Sequence, residues 1–167
     1  MRLFAAAALL FGLAVARADD KKSPDKPFND AEFVKMAASG GMLEVDLGKL
    51  ASTKATSADV RKFGERMVKD HGAANEDLRK AAKTANIPVP DKLIDEHQKV
   101  LDRFKDYKGT NFDKDYMNQM LKDHEEDVAE FTRATKEAKN PAIKDFATRT
   151  LPTIKEHLDL AKKLHKD

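Results

Sequence analysis

The chain has 167 residues, 31 Lys and Arg against 29 Asp and Glu, and no cysteine. Without cysteine there is no disulfide, no thiolate metal ligand and no thiol nucleophile. The near-balance of charge leaves no basic footprint for nucleic acid and little attraction to an anionic membrane surface.

Residues 1–18 read as a secretory signal peptide. Met1-Arg2 is a short positive start, Leu3 to Ala16 is an apolar run too short to span a bilayer, and Ala16-Arg17-Ala18 is a small-x-small cleavage pattern. Cleavage after Ala18 would remove Arg2 and Arg17, leave 29 charges of each sign, and place the product in the periplasm. The exported part would then hold no integral membrane span. Residues 19–28, charged and proline-containing, read as a flexible leader, and residues 29–167 as one helical domain.

Helix one is expected over residues 29–55, capped by Asn29 or Asp30, with Phe33, Ala37, Gly40, Glu44, Leu47 and Ala51 on one face. Gly40 and Gly41 mark a close helix approach or a bend. Helix two is expected over residues 56–86, opened by a Thr56–Asp59 capping box, with the stripe Val60, Phe63, Met67, His71, Ala74, Leu78 and Ala81. Ile87-Pro88-Val89-Pro90 ends it. Residues 91–108 read as a shorter amphipathic crossover helix stopped at Gly109. Helix three, over about residues 111–139, carries Met117, Met120, His124, Val128 and Phe131. Helix four opens with Pro141 in its first turn and carries Ile143, Ala147, Thr150, Ile154, His157, Ala161 and Leu164, with a kink expected at Pro152. The pattern is all-α: an antiparallel four-helix bundle with an extra crossover helix between helices two and three.

Three histidines, His71, His124 and His157, thus fall on apolar stripes of three helices, and the fourth stripe carries Glu44. With an up-down-down-up course, a rise of ~1.5 Å per residue places all four roughly 17–24 Å above the base of the bundle. Bundles build metal sites from inward side chains in this way, and three imidazoles with one carboxylate suit zinc, iron or copper(II). The competing reading is a buried Glu–His polar cluster with no metal, which fixes helix register. Each histidine follows an acid (Asp70, Asp123 and Glu156) that should point about 100° away and read as a solvated flank. His97 and His165 read as peripheral.

The segments from Phe33 to Ala51, Met67-Val-Lys-Asp-His71, Asn111-Phe-Asp-Lys-Asp-Tyr116 and Leu151-Pro-Thr-Ile-Lys-Glu-His157 resemble the bacterial "domain of unknown function 4142" family. The resemblance implies a ferritin-like bundle and leaves activity open. Ferritin-like di-iron enzymes carry Glu-x-x-His on two helices, and here Val68, Leu121 and Ile154 stand three residues before the histidines, so the bridging carboxylates are missing. No serine-elbow or phosphate-loop motif is present, so an enzyme is not the favoured reading. The expected function is metal handling or envelope stress tolerance through one divalent ion at Glu44, His71, His124 and His157. The alternative is a structural module that meets an envelope protein partner.

Overall fold

The computed structural model describes residues 27–107 and 111–165; the signal peptide, most of the leader and Gly109 lie outside them. Among the described residues the structure is all-helical. It comprises α1 (Asp30–Lys54), α2 (Ala58–Ala85), α3 (Asp95–Lys105), α4 (Phe112–Glu137) and α5 (Pro141–Leu164). None of these helices is long and apolar enough to cross a membrane.

The helix starts follow capping chemistry. Asn29 accepts from the backbone N–H of Ala31 and Glu32, Asn111 from Lys114, and Asn140 from Ala142 just ahead of Pro141. At α2 the cap is Ser57, which accepts from Val60. Thr56 does not form the expected box with Asp59. Its N–H and hydroxyl instead bond Asp113 of α4, whose carboxylate also takes the Ser57 N–H at 2.7 Å. The α2 terminus is thereby tied to the neighbouring helix. Asn86, in the left-handed region at φ 55°, ends α2.

Loops of three residues join α1 to α2 and α4 to α5, so each pair runs antiparallel. The α1–α2 crossing is close at Gly48 and Gly64. A Cβ on Gly48 would lie 2.6 Å from the Gly64 carbonyl oxygen, and one on Gly64 would lie 2.8 Å from the Gly48 oxygen. Of the expected Gly40–Gly41 pair, Gly41 faces Asn75 of α2, whereas Gly40 looks past the edge of His97. Helix α1 runs unbroken through both. Helix α5 likewise continues through exposed Pro152, so the expected kink does not interrupt it, although Pro152 has no N–H to offer the preceding turn.

The crossover helix is shorter than expected, because residues 91–94 are not helical. It is pinned to α1 by Ser39. The fully buried hydroxyl lies 2.7 Å from His97 Nδ1 and accepts the Ile94 N–H at 2.9 Å. His97 is therefore an anchor between helices. Phe28, the last residue of the leader as read from sequence, packs on Phe33 at 5.6 Å and belongs to the core.

The apolar core falls into two clusters. One is built on Phe33, Leu78, Phe131, Phe146 and Ile154, the other on Leu47, Phe63, Met67, Phe104, Tyr116 and Met120. Between them, at the waist, stand the four buried ionisable residues Glu44, His71, His124 and His157.

Candidate metal centre

The four sequence-predicted site residues are brought together, one from each long helix. Glu44 is 2% exposed, His71 6%, His124 0% and His157 1%. The three rings form a near-equilateral triangle, with centroids 5.6 Å (His71–His124), 5.2 Å (His71–His157) and 5.4 Å (His124–His157) apart. One nitrogen of each ring lies within 4.8 Å of one on each of the others. Bonds of ~2.0–2.1 Å to a tetrahedral ion need nitrogens ~3.3 Å apart, so the rings would draw in by about an ångström.

Hydrogen bonding sorts the ring nitrogens. His124 Nδ1 lies 2.8 Å from the Met120 carbonyl oxygen, and His157 Nε2 lies 3.0 Å from Asp70 Oδ2. His71 Nδ1 lies 2.8 Å from Glu44 Oε2. Carbonyl and carboxylate oxygens only accept, so these three nitrogens carry hydrogen. The opposite nitrogens, Nε2 of His71, Nε2 of His124 and Nδ1 of His157, are buried and have no hydrogen-bond partner. In a neutral ring each of these nitrogens carries a lone pair inside the protein. An acceptor on the far nitrogen orients metal-binding histidines in the same manner.

Glu44 reaches the cluster from the other side of two rings, 2.8 Å from His71 Nδ1 and 3.4 Å from His124 Nδ1. Burial alone would raise its carboxyl, but the charges on His71 and His124 and the bond from His71 hold it at about 2. Burial lowers His71, yet the Glu44 charge and hydrogen bond, helped by Asp70, lift it above the ordinary histidine value. His124 is lowered by burial, and His157 is pushed by burial to about 4. His124 and His157 are thus neutral near pH 7.

Asp70, read from sequence as a solvated flank of His71, instead crosses to a different helix. Its Oδ2 takes both His157 Nε2 and Arg66 Nε, each at 3.0 Å. Glu156 does remain outside, paired with Arg66 at 2.6 Å. Asp123 is half-buried, with one oxygen held by Gln119 at 2.8 Å and the other unpartnered. Burial and the Glu44 charge push it up to about 7, and the same causes raise Asp127 well above the carboxylate range. Sequence reading missed Asp127. The signal was there: Asp123, Glu126, Asp127 and Glu130 recur at the spacing that normally marks an apolar helix face. His165, two turns beyond His157, bonds Asn118 at 2.6 Å.

A model of the family described as domain of unknown function (DUF4142) matches residues 14–164. The chain belongs to the DUF4142 family. No curated protein sequence matches this DUF4142 chain. Among solved structures, CopM in its Cu(II)-bound form aligns with a TM-score of 0.70 at 16% identity, covering 84% of the DUF4142 chain and 98% of CopM. CopM in its Cu(I)-bound form gives 0.68 at 15%, covering 83% and 96%. A DUF305 fragment from Deinococcus radiodurans gives 0.68 at 11%, covering 84% and 99%. Identities this low establish a shared fold.

Proposed function

We propose that this chain is a periplasmic ferritin-like four-helix bundle, with α3 as its crossover, that binds one divalent metal ion at its waist. His71, His124 and His157 are the ligands. Glu44 supplies the compensating negative charge from behind His71 and His124. The observation that carries the reading is the sorting of ring nitrogens: three buried imidazoles each keep one unpartnered nitrogen while an acceptor holds the other. Buried polar atoms are otherwise nearly always satisfied, so three orphans in one place ask for a common partner. Imidazole donors suit zinc, iron and copper(II). The copper-bound CopM structures support copper as the ion this fold can hold. The role is metal handling or envelope stress tolerance, since no Glu-x-x-His pair stands at the histidines to build a di-iron centre.

The Glu44–His71 contact favours a second reading, a metal-free polar cluster in an interaction module. It accounts for one side of His71 and leaves all three orphan nitrogens without a reason, so it ranks below the first.

Elemental mass spectrometry on untagged protein purified from periplasm, beside His71→Ala/His157→Ala, tests the proposal. Near-stoichiometric metal in the parent and its loss in the variant are expected. Metal-free parent protein whose thermal stability does not move with added zinc, copper or iron would overturn it.

A further inference from the structure

A cleft of about 530 Å³ opens between α1, α3 and α4, with acidic side chains set among apolar ones such as Phe33, Met36, Leu43 and Phe131. Helix α4 turns Asp123, Glu126, Asp127 and Glu130 into it, α3 adds Glu96, and the floor reaches Glu44. The i, i+3, i+4, i+7 spacing puts these four acids on one face of α4, with Asp123, Asp127 and Glu130 partly buried and Glu126 exposed. Among the described residues two cationic groups meet these acids. Arg133 lies 3.7 Å from Glu130 at one end, and exposed Lys122 lies 3.9 Å from Glu126.

Two buried groups set this cleft apart from an ordinary solvated acidic face. Glu44 lines it while being 2% exposed, with its oxygens 2.8 Å from His71 Nδ1 and 3.4 Å from His124 Nδ1. The second is Asp123, whose buried Oδ2 has no hydrogen-bond partner and also lies on the wall. Both Glu44 and Asp127 also line a small cavity of about 20 Å³ beside His71, so they form the partition between the outer cleft and the histidine cluster. That cavity is large enough for one water-sized occupant. Gly40 lies on the cleft wall, where a Cβ would lie 3.8 Å from His97 Cε1.

We propose that the α1–α3–α4 cleft is the entry vestibule for the metal: a hydrated divalent cation collects weakly on Glu96 and Glu126 and passes Asp127 and Glu44 to the histidines. The inference rests on the metal-binding reading above. A cleft of one charge sign with low-dielectric walls focuses the field and raises the on-rate of an opposite charge by roughly 10–10³. Carboxylates hold a hydrated ion loosely, and imidazoles then take it by replacing its water.

The test is stopped-flow binding of Cu²⁺ to the full chain, followed by quenching of tyrosine emission, at low and at physiological salt. The parent should bind fast and slow steeply as salt screens the cleft. Glu96→Gln/Glu126→Gln should keep the same stoichiometry but associate about tenfold more slowly at low salt, with a flatter salt dependence. Glu65→Gln/Glu76→Gln removes two exposed acids of α2, outside the cleft, and should leave the rate at the parent value. Equal rates and salt slopes in the parent and the cleft variant would overturn the vestibule while leaving the histidine site standing. An equal slowing by the α2 variant would do the same, since net charge alone would then explain the effect. A parent that binds no Cu²⁺ at equilibrium would overturn both readings. Circular dichroism checks that the cleft variant is folded, as expected when mutually repelling charges are removed.

Discussion

Asp70 Oδ2 sits 3.0 Å from His157 Nε2, so α2 supplies His71 to the cluster and, one residue earlier, the carboxylate that orients the histidine of α5. That carboxylate is held in turn by Arg66, and it is lowered despite partial burial by the bonds from His157 and Arg66. Asp70→Asn keeps the shape but can present its amide N–H₂ to the ring, which allows the wrong tautomer. Metal affinity in a competitive titration should fall by roughly 10–100-fold, with the helical content unchanged. Unaltered affinity would show that Asp70 does not orient a ligand.

Glu44 is a fully buried charge with histidine partners, so removing it alone leaves those partners uncompensated. Glu44→Ala should cost roughly 3–5 kcal/mol in urea unfolding. Glu44→Leu combined with His71→Leu removes both ends of the contact and should recover most of that loss, while abolishing metal binding. A double variant as unstable as the single would mean that packing, and not the orphaned charge, dominates at this position.

The glycines of the α1–α2 crossing predict opposite signs for the same chemical change. At Gly64 an added methyl would meet the Gly48 carbonyl and lie 2.9 Å from Ala51 Cβ, and backbone cannot swing aside as a flexible side chain can. Gly64→Ala should destabilise by roughly 1–3 kcal/mol in denaturant unfolding. Gly72, also in α2, has nothing within 4 Å of its would-be Cβ. There the helix propensity gain is unopposed, and Gly72→Ala should stabilise by roughly 0.5–1 kcal/mol.

Asp113 closes the start of α2 from α4 through Thr56 and Ser57. Burial would raise its carboxyl, but the bonds from Ser57 and Thr56 outweigh this and hold it below the ordinary value. A depressed carboxylate contributes stability above its unfolded pKa and loses it as pH falls through the lower folded one. The parent should therefore lose this contribution only in acid, below about pH 4. Asp113→Ala should cost ~1 kcal/mol at pH 7, and the gap from the parent should close as the pH drops. A gap independent of pH would point to lost packing.

The helices, their apolar faces, the cap at Asn29 and the first-turn Pro141 were legible in the sequence because they are local. Period, capping oxygen and proline position act within a turn or two of the chain. The same locality put His71, His124, His157 and Glu44 on inward stripes, and the helical rise put them at one height. Tertiary structure decided what lies between helices. Adjacent residues on one helix diverge by about 100°, which made Asp70 look like a solvated neighbour of His71. A second helix packed at ~8–10 Å fills that direction, and it carries His157. Which ring nitrogens stay open follows from that contact, from the Met120 carbonyl and from Glu44, none of which a single stripe reveals. The replacement of the Thr56–Asp59 box by Asp113, and the acidic cleft under α3, have the same origin: partners distant in sequence outcompeted the local ones once the bundle closed.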